Sequence, residues 1–125
     1  MKSLTEKKVE AVELFTKVFS GSYIKMAPGD ADFKIFSSDG SLIAYAEVID
    51  ANRRIRDRDH LFIPLERYAK VCMKMLNPIV IWMCDDGILY GKAKEMYGTI
   101  RWSKTRKTPL LHFSPRQDGV KYIRA

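Results

Sequence analysis

Five consecutive apolar residues, Ile79, Val80, Ile81, Trp82 and Met83, lie between an Asn77-Pro78 break and an Asp85-Asp86-Gly87 turn. Side chains of a strand point alternately to opposite faces, so a run without a polar member needs apolar cover on both sides. This run is expected at the centre of a sheet, and the rest of the chain must supply a layer for each face. The flanking sequence offers helices for that purpose. Leu4, Ala11, Phe15 and Val18, with Val12 and Phe19 alongside, place an apolar stripe on a helix over residues 4–19. Ser3 or Thr5 can cap its start, and Gly21 is placed to end it. Leu65, Tyr68, Ala69, Cys72 and Leu76 mark a second helix, with Pro64 in its first turn and Asn77-Pro78 as its stop.

The remaining segments read as strands. Residues 32–36 and 42–49 alternate in polarity around Asp39-Gly40, a strong hairpin signal. Leu61, Phe62 and Ile63 suggest a short third strand, and residues 88–94 a strand returning from the Asp85-Asp86-Gly87 turn. Leu110 to Phe113 and Val120 to Ile123 have strand character around Pro115 and Gly119. The order α–β–β–(β)–α–β–β describes a mixed α/β domain with a central sheet flanked by helices. The basic residues after about 95 read as an added β-rich extension of a core over residues 4–95. At 125 residues the chain is one domain, and its 46% hydrophobic content is ample for a core. No apolar run approaches the roughly 18 residues of a membrane span. The first residues lack the apolar stretch of a signal peptide, so a cytoplasmic protein without a membrane partner is expected. Cys72 and Cys84 fit no zinc spacing with His60 and His112 and read as buried free thiols. Met73, Met75, Met83 and Trp82 read as core filling.

Charge narrows the partner. With 22 basic against 15 acidic residues the net charge is +7, which predisposes a small domain to polyanions. The excess is concentrated in Arg53, Arg54, Arg56 and Arg58, and again in Arg101, Lys104, Arg106 and Lys107. In the first group Asp57 and Asp59 interleave, so phosphate contact competes with self-neutralisation. In the second, Trp102 adds a stacking surface suited to single-stranded or distorted nucleic acid, unless its indole packs on the core. Arg67 and Lys70 are solvated helix residues or face a nucleic acid.

The first hairpin carries acids. Counting back from Asp39-Gly40 sets Asp32 and Glu47 across from each other, within one pair of rungs. Two such carboxylates repel unless one is protonated or a cation bridges them, and oxygen ligands of this kind suit Mg2+ or Mn2+. Solvent-facing decoration, paired across the strands with Lys34, is the alternative.

The hairpin resembles the PD-(D/E)XK nucleases, a restriction-endonuclease-like fold with an α–β–β–β–α–β core. There an acid opens one strand, and an acid-x-lysine triplet ends the next. Asp32 matches the first acid, and Glu47-Val48-Ile49 the triplet. "DGSLIAYAEV", "IPLERYAKV" and "PIVIWMCDDGILY" resemble segments of small phage-type and resolvase-like members, over residues 5–90. The resemblance implies a magnesium-dependent endonuclease that hydrolyses DNA phosphodiesters, of phage or mobile-element origin, and sometimes a homodimer. Ile49 stands where the family has its lysine. Lys34 or Lys70 is expected to replace it, with Glu13 a third metal ligand. Alternatively Asp32-Phe33-Lys34 is the triplet, partnered by Glu10 or Glu13. A third possibility is a catalytically inactive domain that binds nucleic acid or protein, including an acidic protein partner. His60 is a possible proton-transfer group.

Overall fold

The apolar run forms β5 (Pro78–Cys84), and its alternation divides the molecule into two cores. Ile79, Ile81 and Met83 face one side, against helix α1 (Leu4–Lys17), while Val80 and Trp82 face the other. The structure, a computed structural model, describes residues 2–28, 30–57, 61–74, 76–114 and 119–125, with Asp57 described by its backbone alone. Arg58, His60 and Met75, assigned roles from sequence, lie outside the described residues.

Six strands make the central sheet: β1 (Ser22–Lys25), β2 (Phe33–Phe36), β3 (Leu42–Asp50), β5, β6 (Gly87–Lys92) and β9 (Lys121–Arg124), in the order β1-β2-β3-β5-β6-β9. Only β3 and β5 run parallel. Their connection carries β4 (Leu61–Pro64) and helix α2 (Leu65–Cys72). A smaller antiparallel sheet, β4-β8-β7, adds β7 (Thr99–Ser103) and β8 (Thr108–Phe113). The second core lies between the central sheet, α2 and this small sheet. It buries Leu61, Ile63, Val71, Trp82, Leu89, Leu111 and Phe113. Trp82 ties the layers together, its Nε1–H donating to Phe62 O at 3.1 Å. The molecule is therefore a mixed α/β domain with a mixed sheet and two helices. Neither of those helices is long and apolar enough to cross a membrane, among the described residues.

Local chemistry accounts for the element ends. Ser3 caps α1, its Oγ accepting the Glu6 N–H at 3.2 Å. The chain leaves α1 through Ser20 at φ 56°, and the Gly21 N–H donates to Thr16 O at 2.9 Å. Gly40, at φ 88°, turns the β2–β3 hairpin, while Asp39 Oδ1 accepts the Ser41 N–H at 2.9 Å.

Several expectations are corrected. β1 had no counterpart in the sequence pattern: its residues are exposed or half-buried, and the alternation signal needs one well-buried face. β4 leaves the central sheet for the small one, opposite β8. Helix α2 stops at Cys72, leaving Leu76 and Met73 exposed, so Met73 fills no core. Leu4 and Val18, at the ends of the α1 stripe, are also exposed, because the stripe outruns the sheet it covers. The segment after 95 is not an appendage: β9 completes the central sheet and β8 covers the second core. That docking has a tight point. Gly87 has φ 149°, and a Cβ there would lie 2.2 Å from the Ile123 carbonyl oxygen in β9. Gly87→Ala is expected to part β9 from β6 and to cost about 1–3 kcal/mol, read as a lowered urea midpoint. An unchanged midpoint would contradict that packing.

Candidate functional site

Phe33 pairs with Ala46, so at the next rung Asp32 stands opposite Glu47. The structure brings the two acids together: the Asp32 N–H donates to Glu47 Oε1 at 3.2 Å, and the Val48 N–H donates to Asp32 Oδ2 at 2.8 Å. They line a cleft of about 280 Å³ together with Lys8, Lys25, Asp30, Arg67 and Lys70. Glu47 is only 2% exposed, whereas the Asp32 side chain is 22% exposed. Burial pushes the Glu47 carboxyl above the ordinary glutamate value, and the Asp32 carboxylate pushes it further; Arg67 pulls in the opposite direction.

The counter-charges come from both helices. Lys8 of α1 places Nζ 3.2 Å from Asp32 Oδ1 and 3.3 Å from Oδ2. Arg67 of α2 donates through Nε to Glu47 Oε2 at 3.0 Å and through Nη2 to the Val48 carbonyl at 3.2 Å, with Nη2 3.7 Å from Asp32 Oδ2. One guanidinium thus spans both acids and the main-chain oxygen between them. Every carboxylate oxygen of the pair has a donor or cation against it. As arranged, this donor set does not fit a divalent ion: the charge is already balanced by Lys8 and Arg67. No group of three or more His, Cys, Asp or Glu stands together among the described residues.

The other candidates separate. Lys34 is opposite Tyr45, two residues from Glu47 along β3, and does not line the cleft. Lys70 does line it, next to Asp30, whose carboxyl is held low by Lys74 and the Ala31 N–H. Glu13 is exposed on another face of α1, accepting the Tyr23 hydroxyl at 2.6 Å, and is no ligand partner for the acid pair. Glu10 pairs with Lys2. Ile49 is half-buried against the second core, adjacent in register to Trp82, so apolar packing fills this position.

Arg54 and Arg56 are exposed, and Arg53 is half-buried with Nε donating to Ala51 O at 3.3 Å. Buried Ile55 anchors this loop, whose Ile55 N–H donates to Asp86 Oδ1 at 2.9 Å beside the β5–β6 turn. None of these three arginines lines the acid cleft. Arg101, Lys104, Arg106 and Lys107 are exposed, and Trp102 is 63% exposed, so its indole does not pack on the core. Cys72 and Cys84 are half-buried rather than buried; burial raises both thiols, Cys84 to about 11, which keeps them protonated at neutral pH.

Lys8 was missing from the sequence candidates, and Arg67 was named without a site. A signal existed for each. Lys8 precedes Ala11 and Val12, and Arg67 precedes Val71, by helical spacings that share a face, and all three apolar residues are buried. A cation on the core-facing stripe of a helix needs an anionic partner there. Comparison with family models, curated proteins and solved structures found no match.

Proposed function

We propose that this protein is a nucleic-acid-binding module on a restriction-endonuclease-like core, in which an arginine side chain takes the place of a catalytic metal ion. With β4, which pairs in the small sheet, set aside, the order α1-β1-β2-β3-α2-β5 resembles the PD-(D/E)XK core, with Asp32 leading into β2 and Glu47 on β3. The observation that carries the reading is the Arg67 guanidinium, which bridges Asp32, Glu47 and the Val48 carbonyl. With Ile49 at the lysine position, the described residues offer neither a vacant set of oxygens nor the family's usual cation to support an attacking water. It retains the means to bind: a net charge of +7 and exposed cations on two separate segments.

A second reading, metal-dependent hydrolysis of DNA with Mg2+ or Mn2+, is favoured by one feature. Lys8 sets an ammonium against Asp32 at the cleft, where a substitute for the absent lysine would stand. The two readings part in one experiment on branched, duplex and single-stranded DNA with Mg2+ or Mn2+, comparing the parent with Glu47→Ala. Binding that weakens steeply with salt, and no cleavage, is expected. Cleavage by the parent that Glu47→Ala abolishes would establish the hydrolytic reading instead. Absence of binding to any DNA or RNA at moderate salt would end both and leave an acidic protein as the partner.

A further inference from the structure

In the small sheet, Ile100 lies opposite Leu111, which lies opposite Ile63; Trp102 lies opposite Pro109. Cross-strand partners share a face, so Ile100 and Trp102 continue the face that β4 and β8 bury in the second core. On β7 that face emerges from cover: Ile100 is 62% and Trp102 63% exposed, and Tyr97 just before the strand is 77% exposed. β7 is also the outer strand of its sheet. A long apolar edge is ordinarily blunted, because it invites association. Here it is bordered by cations instead. The β7–β8 turn, one rung beyond Trp102, carries exposed Lys104, Arg106 and Lys107, with Lys107 at φ 51°, while Arg101, between the two apolar residues in sequence, is on the opposite face of the strand.

A flat exposed indole beside an apolar neighbour, bordered by cations, matches the chemistry of unpaired bases on a phosphate backbone. Ile100 and Trp102 are about 6.6 Å apart along the strand, two stacked-base separations of about 3.4 Å. A duplex keeps its base faces covered by their neighbours and offers the indole nothing to stack on. We infer that β7 and its turn form a binding site for single-stranded nucleic acid, with a base on Trp102 and the adjoining phosphates on Lys104, Arg106 and Lys107. This rests on the nucleic-acid reading above and assigns its substrate class. A second copy of the chain is disfavoured as occupant, since it would bring the same cations against themselves.

The two tryptophans make the test direct, because Trp82 is 1% exposed and only Trp102 is open to solvent. Titration with a short oligothymidylate is expected to quench the emission of the exposed indole. Trp102→Ala should weaken oligothymidylate binding about tenfold or more, Trp102→Phe should largely retain it, and duplex binding should change less than twofold. Trp102 is exposed, so the urea midpoint of Trp102→Ala should match the parent and exclude a folding defect. Equal binding of single strand and duplex, unaltered by Trp102→Ala, would overturn this inference and leave the broader reading intact. No binding of either would remove the broader reading. Quenching by an acidic peptide but not by the oligonucleotide would assign the β7 edge to a protein strand and overturn the inference as well.

Discussion

Arg67→Ala is expected to destabilise the protein by about 2–3 kcal/mol at neutral pH, somewhat less than the loss of one partner from a fully buried pair, because the guanidinium is a third exposed. The loss comes from stranding Glu47, almost wholly out of water, beside the Asp32 carboxylate. The pH dependence has a definite sign. In the parent, burial and Asp32 already hold the Glu47 pKa above its ordinary value, so the folded state binds this proton more tightly than the unfolded chain does. That contribution to stability is full below the unfolded pKa and is lost as pH rises through the folded one. Removing Arg67 takes away the opposing cation and moves the folded pKa further up. The deficit of Arg67→Ala should therefore shrink as pH falls towards 5 and grow towards 8, in paired urea melts. Adding Glu47→Gln should recover much of the stability, since no charge then remains to be stranded, and the double-mutant cycle measures the coupling. If the guanidinium stands in for a cation, Mn2+ should raise the midpoint of Arg67→Ala but not of the parent. A deficit that ignores both pH and Glu47→Gln would show that Arg67 acts only through packing.

The largest single loss is expected at the other tryptophan. Trp82→Ala should cost about 3–5 kcal/mol, much of the total stability of a domain this size. Trp82 is buried, meets Phe113 edge-on at 5.8 Å and donates to the Phe62 carbonyl, a hydrogen bond that the truncation would remove. Trp102→Ala, on an exposed edge, should fall within about 0.5 kcal/mol of the parent. Equilibrium unfolding of the two variants side by side checks both values. Similar losses would mean that β7 is packed in solution.

Much of this was legible in the chain because burial leaves a pattern. The run from Ile79 to Met83 announced a strand covered on both faces, and its residues supply both cores. Asp39-Gly40 fixed the hairpin turn, and counting from it placed Asp32 opposite Glu47. β1 was not legible, because its partly exposed residues carry no periodic signal. Nor was the departure of β4 to a second sheet, since alternation states that a strand has a buried face but not which neighbour covers it. The placement of the two acids opposite each other was legible, and their counter-ions were not. Lys34 and Lys70 are the cations the sequence offers, whereas Lys8 and Arg67 reach the acids from helices 24 and 20 residues away. Tertiary packing makes that choice, and a charge on a helical stripe is its only trace in sequence.

The one parallel contact of the central sheet bears on how the chain finds this arrangement. β5 meets β6 through a tight turn, so that pairing closes a short loop at small entropic cost. Its other neighbour, β3, lies across the whole of residues 51–77, and the meander β1-β2-β3 must wait for that long closure before it gains a partner. Two locally assembled halves, β1-β2-β3 and β5-β6, therefore meet late, along the line from Tyr45–Pro78 to Asp50–Met83. Glu47 lies on that seam, opposite Val80, and Arg67 belongs to the helix that spans it. The ion pair proposed to replace a metal ion joins β3 to that crossover helix, so it holds the long connection against one half of the sheet, beside the line where the other half docks.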